Sequence, residues 1–215
     1  MAFAVSSELV LAEILRARLI AVLRFHGADE CLAAADAAAA GGISVLEVTL
    51  TTPGASAIIT ALSRRDDLLI GVGSVRSAAE LDAAAMAGAR FVASPHIDPA
   101  LVERARGLGL VTMPGALTPT EIHRAWRAGA DLVKVFPMPR DGAAYLRSLL
   151  GPMPEVRLAP SGGVSPATVR TLLDAGASAL NVGSWMTHDD GAAAPPEVVR
   201  ARAAELVAAV RGVVV

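Results

Sequence analysis

Short apolar runs alternate with longer alanine-rich segments along almost the whole chain. The runs have the length of β-strands, and the segments between them have the length of helices. Eight strands are predicted, at Leu19–Leu23, Ser44–Leu50, Leu68–Val72, Arg90–Ala93, Leu110–Met113, Leu132–Phe136, Val156–Ala159 and Ala179–Val182. A helix is predicted after each strand, and a short amphipathic helix around Ser7–Arg16 precedes the first strand.

Helix ends and helix beginnings carry sequence signals. A glycine that follows alanine suits a left-handed C-cap, because any Cβ is penalised there. Such glycines recur in Ala40-Gly41-Gly42, Ala87-Gly88-Ala89, Ala128-Gly129-Ala130 and Ala175-Gly176-Ala177. An N-cap residue followed by proline begins three helices, at Asp98-Pro99, Thr118-Pro119 and Ser165-Pro166.

Eight βα units either close into a barrel or open into a doubly wound sheet. The glycine fingerprint of dinucleotide binding is missing after the first strand, where Phe25-His26-Gly27-Ala28 stands. No linker interrupts the repetition. The pattern therefore predicts an α/β protein with a single (β/α)₈ TIM-barrel domain over residues 1–215 and a short N-terminal helix.

In two of the predicted strands the central residue is charged, although barrel strands are covered on both faces and should be nearly all apolar. Alternation groups the inward positions as Val45, Glu47 and Thr49 on the second strand and Leu132, Lys134 and Phe136 on the sixth. The opposite faces hold only apolar residues, Leu46, Val48, Leu50, Val133 and Val135. Both charges are therefore predicted to point into the barrel.

Strands two and six lie opposite each other in a ring of eight, so Glu47 and Lys134 can meet near the axis. Burial disfavours the charged form of an amine, and a neutral amine attacks a carbonyl carbon. A nearby carboxylate can carry protons to and from the intermediates. The pair predicts imine catalysis, with Lys134 as nucleophile and Glu47 as acid/base. The alternative is a buried ion pair that only holds the barrel together.

Loops after strands seven and eight often bind phosphate in such barrels. Ser161, Gly162 and Gly163 follow the seventh strand, and Gly183 and Ser184 follow the eighth. Glycines let backbone N–H groups approach an anion, so the candidate phosphate ligands are Gly162, Gly163, Gly183 and Ser184. Ser161 is a candidate substrate contact. Ordinary turn glycines are the alternative interpretation of both loops.

Other candidate substrate contacts lie at the same rim. Arg24 ends the first strand and could bind a carboxylate or phosphate, although an exposed salt-bridging arginine is the alternative. Ser74 follows the third strand and Pro95 the fourth. Thr49 and Phe136 share the predicted faces of the two charged residues and complete the set.

Composition narrows the classes of partner and compartment. A net charge of −2 argues against a nucleic acid or an anionic membrane and leaves a small-molecule substrate. Met1–Val10 lacks the pattern of a signal peptide. The single cysteine, Cys31, is expected to be a buried small residue, and a lone thiol suits a reducing compartment. A cytoplasmic location is therefore expected. The four histidines lack metal-pair spacing, and neither a metal nor another cofactor is expected.

Four motifs together suggest a known family. They are Val45-Leu46-Glu47-Val48-Thr49-Leu50, Met113-Pro114-Gly115 with Thr118-Pro119-Thr120-Glu121, Val133-Lys134-Val135-Phe136-Pro137, and Pro160-Ser161-Gly162-Gly163-Val164. In this order they resemble the 2-keto-3-deoxy-6-phosphogluconate (KDPG) aldolase family, which also acts on 4-hydroxy-2-oxoglutarate (KHG). The resemblance runs from about Leu19 to Trp185, and the motif around Lys134 is its most specific part.

The resemblance implies a class I aldolase that cleaves KDPG to pyruvate and glyceraldehyde 3-phosphate. Lys134 matches the Schiff-base lysine of the family and Glu47 its acid/base carboxylate, while Gly162, Gly163 and Ser184 match the phosphate-binding loops. Similar enzymes are commonly homotrimers, so a homo-oligomer is expected.

One departure from the family concerns substrate identity. Many members carry an arginine after the strand that bears the glutamate, whereas Thr51 and Thr52 stand here. Other members have an arginine at the end of the first strand instead, as Arg24 is here. Alternatives to KDPG therefore stay open: another 2-keto-3-deoxy acid, such as the galactonate 6-phosphate epimer, or a non-catalytic barrel that binds a phosphorylated metabolite.

Overall fold

All eight predicted strands are present. The computed structural model describes residues 6–213, so residues 1–5, which belong to the stretch expected to lack a signal peptide, lie outside the described residues. The strands are β1 Leu19–Leu23, β2 Val45–Thr49, β3 Leu69–Gly73, β4 Phe91–Ala93, β5 Val111–Met113, β6 Gly115–Ala116, β7 Val133–Val135, β8 Leu158–Pro160, β9 Leu180–Val182, β10 His188–Asp189 and β11 Ala192–Ala193. The helices are α1 Ser7–Ala17, α2 Ala28–Ala40, α3 Ala55–Leu62, α4 Ala78–Met86, α5 Pro99–Gly107, α6 Pro119–Arg127, α7 Gly142–Leu150, α8 Pro166–Asp174, α9 Ser184–Thr187 and α10 Pro196–Arg211.

The long strands form a curled, parallel α/β half-barrel rather than one continuous closed ring. A six-stranded sheet has the order β5-β4-β3-β2-β1-β9, and a three-stranded sheet has the order β6-β7-β8. One bridge between Ser161 and Asn181 joins the sheets at one seam. At the other seam the Leu132 N–H donates to the Thr112 carbonyl at 3.0 Å.

Proline explains part of this division. Pro114 separates β5 from β6, and Pro160 ends β8. Because proline has no N–H to donate to a ladder, regular pairing is interrupted at both places. The short hairpin β10–β11, the helix α9 and β6 are not among the predicted elements.

Apolar side chains form two clusters, one on each face of the strands. Val45 and Leu132 lie in the inner cluster, and the outer cluster against the helices contains Leu46, Val48, Val133 and Val135. The predicted alternation of both strands is therefore confirmed. Helix α1 packs Val10 and Ile14 into the inner cluster, so it covers the amino-terminal end of the strands.

The helix signals are confirmed in most places. The Thr118 hydroxyl and the Glu121 carboxylate form a reciprocal capping box at the start of α6. The glycines at the predicted C-caps have φ between 90° and 104° at Gly42, Gly88, Gly129 and Gly176, whereas Gly41 stays right-handed. Between residues 6 and 213, no helix combines the length and the apolarity needed to cross a membrane.

Candidate active site

Lys134 and Glu47 meet on the inner face, as strand alternation predicts. Lys134 Nζ donates to Glu47 Oε1 at 3.0 Å and to Oε2 at 3.1 Å. Lys134 is 8% exposed and Glu47 is 1% exposed, so the carboxylate lies deeper than the amine. The contact joins β7 of the smaller sheet to β2 of the larger sheet.

Gly73 gives Glu47 the room for this position. A Cβ on Gly73 would overlap Glu47 Oε1 and would lie 2.7 Å from its Cδ. Any larger residue would therefore force the carboxylate away from Lys134. Sequence reasoning missed this role, although Gly71-Val72-Gly73 stands out as two glycines inside a strand.

The paired groups have a specific chemical use. When the ammonium gives its proton to the carboxylate, the result is a neutral amine beside a carboxylic acid. The amine can add to a ketone, and the acid can protonate the oxygen that leaves as water. Lys134 is the only lysine in the chain, and arginine does not lose its proton in proteins, so no other side chain supplies a basic amine.

A cavity of about 840 Å³ opens at the carboxyl ends of the strands, and neither Lys134 nor Glu47 is among the residues that line it. Seven of the predicted site residues line it, namely Arg24, Phe136, Ser161, Gly162, Gly163, Gly183 and Ser184. Phe136 lies two residues after Lys134 along the chain. Ser161 lies two residues after Ala159, the neighbour of Lys134 in the β7–β8 ladder. The two glycine loops thus adjoin one space, and the charged pair is connected to its wall through Phe136 and Ser161 rather than lining it directly.

Comparison with known proteins identifies the family. The sequence profile of the KDPG and KHG aldolases matches residues 10–196. The chain belongs to this family. It is an aldolase, and therefore a lyase.

Individual relatives agree with this membership. The 2-dehydro-3-deoxy-6-phosphogalactonate aldolase of Escherichia coli (strain K12) is 34% identical over 77% of this chain and 82% of its own length. The 2-dehydro-3-deoxy-phosphogluconate aldolase of Pseudomonas aeruginosa is 36% identical over 79% of this chain and 78% of its own. A solved structure of KDPG aldolase from Legionella pneumophila, with pyruvate captured at low pH as a covalent carbinolamine intermediate, has a TM-score of 0.75 and 26% identity. That alignment covers 98% of this chain and 99% of the other.

Arg24 and Ser74 of the aldolase lie close together at the rim. Arg24 is exposed, and its Nη2 donates to Ser74 Oγ at 3.4 Å. Ser74 has φ of 63°, a conformation that is uncommon for residues other than glycine. Ser74 does not line the cavity itself, and its contact with Arg24 connects the third strand loop to the first.

Thr49 and Pro95 are not brought to the cavity. Thr49 is fully buried, and its Oγ1 donates to the Leu23 carbonyl at 3.2 Å. The hydroxyl is therefore already hydrogen-bonded between β1 and β2. Pro95 is exposed, and its backbone lies against Gly115, where a Cβ would come within 2.6 Å of the Pro95 carbonyl carbon. Their roles as substrate contacts stay predictions.

One wall of the cavity was not predicted, namely the β10–β11 hairpin with His188, Asp190 and Gly191. His188 stacks on Phe25 with 5.2 Å between ring centroids. Burial and the nearby charge of His26 lower the pKa of His188, while Glu30 acts in the opposite direction. The polar run Thr187-His188-Asp189-Asp190, five residues after the eighth strand, was the available signal.

Arg202 of α10 holds this hairpin in place. Its Nη1 donates to the His188 carbonyl at 3.3 Å, and its Nη2 forms an ion pair with Asp189. The guanidinium also lies 5.7 Å from the centroid of the Trp185 ring, which lines the cavity. The C-terminal helix therefore contributes to the shape of the site.

Cys31 does not line the cavity, and the described residues form no cluster suited to a metal ion. Cys31 is fully buried in α2, and burial raises the pKa of its thiol to about 12, so a nucleophilic thiolate is disfavoured. Over the described range 6–213, no three side chains among histidine, cysteine, aspartate and glutamate are placed to hold a metal ion together.

Proposed function

We propose that this aldolase cleaves KDPG to pyruvate and glyceraldehyde 3-phosphate through an imine on Lys134. The observation that carries the proposal is the contact of 3.0 Å between Lys134 Nζ and Glu47 Oε1. Phe136, two residues after Lys134 along the chain, lines the large cavity. The covalent carbinolamine of pyruvate in the Legionella pneumophila relative supports the same chemistry for this chain.

Cleavage in this proposal proceeds through covalent bonding of the keto acid to Lys134. The neutral amine of Lys134 adds to the C2 carbonyl carbon of the keto acid, and loss of water gives an iminium ion. Glu47 takes the proton of the C4 hydroxyl, the C3–C4 bond breaks, and its electron pair converts the iminium to an enamine while the aldehyde forms. Protonation at C3 and hydrolysis then release pyruvate and restore the amine.

The cavity wall supplies groups for the two anionic ends of such a substrate. We assign the phosphate to the backbone N–H groups of Gly162, Gly163 and Gly183 and to the hydroxyl of Ser184. We assign the substrate carboxylate to Arg24, which forms no ion pair within the described residues and is therefore not held by a competing carboxylate of the protein.

Trapping tests the imine. Borohydride added with pyruvate should leave a reduced adduct on Lys134, detected by peptide mass spectrometry. Because Lys134 is the only lysine, the sole competing amine is the chain terminus. Lys134→Arg, which keeps the positive charge but cannot form the imine, is the matched control and should give no internal adduct and no cleavage. An adduct found only at the terminal amine, or full activity of Lys134→Arg, would reject the proposal.

Arg24 is tested separately. Arg24→Ala should raise KM for the keto acid about 10-fold or more, because a charge-assisted contact to an anion is lost. Arg76→Ala is the matched control, since Arg76 is an exposed arginine that pairs with Glu80 and does not line the cavity. An unchanged KM in Arg24→Ala would indicate that Arg24 is an ordinary surface residue and does not bind the substrate.

A second substrate is supported by the Escherichia coli relative, which is named for the galactonate epimer. The kcat/KM values for KDPG, for its galactonate epimer and for 4-hydroxy-2-oxoglutarate would rank the three. We expect KDPG to rank first, and a higher value for either competitor would replace it as the proposed substrate.

We further propose that residues 1–215 form a single domain, that the two sheets act as one (β/α)₈ barrel, and that the chain assembles as a homotrimer. The Ser161–Asn181 bridge and the Thr112–Leu132 contact support closure at both seams.

The molar mass in solution tests the trimer, and light scattering should give three times the 21.9 kDa of one chain. A mass of one chain would contradict it.

A further inference from the structure

Asn181 is a polar residue inside an otherwise apolar strand. In β9 its neighbours Leu180 and Val182 lie in the outer cluster, whereas Asn181 pairs with Ile20, a residue of the inner cluster. The carboxamide therefore points inward, and Asn181 is 1% exposed. It also lines the large cavity. None of the roles assigned above uses it.

The orientation of the carboxamide is fixed by its donors. Asn181 Nδ2 donates to the Ala159 carbonyl at 3.2 Å and to the Pro160 carbonyl at 3.3 Å, and it lies 3.9 Å from Met113 Sδ. A flipped amide would place its oxygen against two carbonyl oxygens, which is unfavourable. Oδ1 must therefore be the free end.

Oδ1 is left without a hydrogen-bond partner from any described part of the protein. A buried, unpaired acceptor is costly, and such groups are rare in folded proteins unless water or a ligand completes them. Asn181 borders the cavity, whereas Oδ1 itself has almost no accessible surface. A molecule that occupies this space can supply the missing donor once the atoms that cover Oδ1 shift. A carbonyl oxygen accepts and cannot donate, so it needs an O–H or N–H group.

The position of Asn181 indicates which part of the substrate it meets. The residue contacts the Ala159 carbonyl, beside Lys134 in the β7–β8 ladder, and lies two and three residues before Gly183 and Ser184. It thus stands between the imine position and one phosphate loop. In a 2-keto-3-deoxy sugar acid phosphate, the hydroxyl groups on C4 and C5 occupy that interval, and the C4 hydroxyl gives its proton to Glu47.

We propose that Asn181 is a specificity-determining residue whose Oδ1 accepts a hydrogen bond from the C5 hydroxyl of the substrate. This inference rests on the proposed function and narrows it. The C5 hydroxyl becomes the 2-hydroxyl of the aldehyde product, so the residue selects a hydroxylated aldehyde. It disfavours 4-hydroxy-2-oxoglutarate, which has no hydroxyl at C5 and would leave the acceptor unpaired.

The experiment measures aldol addition of pyruvate to two aldehydes. One is D-glyceraldehyde 3-phosphate, and the other is 3-oxopropyl phosphate, which has the same chain length and phosphate but lacks the hydroxyl. The wild type should prefer the first by about 10-fold in kcat/KM, the effect of one neutral hydrogen bond in a buried site. Asn181→Leu, which is similar in size and lacks the acceptor, should bring the ratio close to one.

Controls separate this role from a structural one. Thr112→Val also removes a buried polar contact, that of the Thr112 hydroxyl with Asp131, and Thr112 does not line the cavity, so its ratio should stay as in the wild type. Asn181→Ala serves as the second variant if Asn181→Leu does not fold, and it should lose the preference as well.

The outcomes are distinct. Equal kcat/KM values for the two aldehydes in the wild type, or a wild-type ratio in a folded Asn181 variant, would overturn the role of Asn181. Exchange of the methyl protons of pyruvate for deuterium, measured in the wild type without any aldehyde, reports the imine alone. Absence of that exchange would reject the proposed function, whereas exchange without an aldehyde preference would reject only this inference.

Discussion

At the scale of single residues, the site depends on what stands next to the charged pair. Lys134 and Glu47 were predictable because charge inside an apolar strand needs a reason, and alternation gives its direction. Gly73 and Asn181 were not, since the first acts by having no side chain and the second depends on contacts between strands that are distant in sequence. The polar residue within Ala179–Val182 was nevertheless a visible signal.

Substitution of Gly73 tests the space it leaves. Gly73→Ala should lower kcat about 10-fold or more, because the new methyl group forces Glu47 from its contact with Lys134 and proton transfer depends on that geometry. Steady-state kinetics with KDPG measures the effect. Gly107→Ala is the matched control, since a Cβ there meets no atom within 4 Å and alanine favours the helix end of α5. Equal activity of the two variants would contradict the role of Gly73.

At the scale of elements, α1 closes the amino-terminal end of the curled sheet. Its Val10 and Ile14 side chains are 2% and 1% exposed and pack against the inner cluster. The amphipathic pattern predicted this helix and its length but not the surface that it covers, because the sequence does not show which end of the strands lies nearby. Its packing accounts for the apolar floor beneath the charged pair.

Truncation in α1 tests this packing. Ile14→Ala should lower the free energy of unfolding by about 2–5 kcal/mol, since a large buried side chain leaves a cavity. Urea unfolding at neutral pH measures the difference. Leu9→Ala, on the exposed side of the same helix at 63% exposure, should change the free energy by less than about 0.5 kcal/mol. Similar losses in both variants would indicate that α1 contributes helix propensity rather than packing.

Element boundaries were predictable where local chemistry fixes them. The N-caps Asp98 and Thr118 each accept a hydrogen bond from the first turn of the predicted helix. The elements β6, β10, β11 and α9 contain two to four residues each, which is too short for a periodic pattern to appear. The cavity wall formed by β10 and β11 was therefore not predicted, because both strands are too short.

At the scale of the whole molecule, the order of the strands follows from βα repetition, whereas the completeness of the ring does not. Pairing between strands that are far apart in the chain depends on register and on seams such as Ser161–Asn181, and no local signal encodes these. The sequence therefore predicts the parallel βα order and the opposition of Glu47 and Lys134. The closed (β/α)₈ ring that it also predicts is not confirmed, because the strands divide into two sheets.

The pH dependence of stability is a property of the whole fold to which His188 contributes. Its pKa in the folded state lies below the ordinary 6.5, chiefly because of burial and then His26, so the unfolded chain binds the proton more readily. The contribution of neutral His188 to the free energy of unfolding is complete above pH 6.5. It is lost as the pH falls from 6.5 toward the lower pKa of His188 in the folded state. Between pH 7.5 and about 5.5, the wild type should lose more unfolding free energy than His188→Gln.

Urea unfolding at the two pH values provides the measurement. His123→Gln is the matched control, because His123 is exposed on α6 and should leave the pH dependence of the wild type in place. An identical loss in the wild type and in His188→Gln would show that the buried imidazole does not drive the dependence.

The position of α1 also determines the route by which substrate and products reach and leave the site. Because Val10 and Ile14 cover the amino-terminal end of the strands, the cavity at the carboxyl ends is the route by which both products of the proposed cleavage would leave. In the proposed mechanism pyruvate stays bonded to the amine of Lys134 until hydrolysis, so the aldehyde is expected to leave first and pyruvate last. In the reverse direction the proposed imine must form before the aldehyde can react, so pyruvate is expected to bind first.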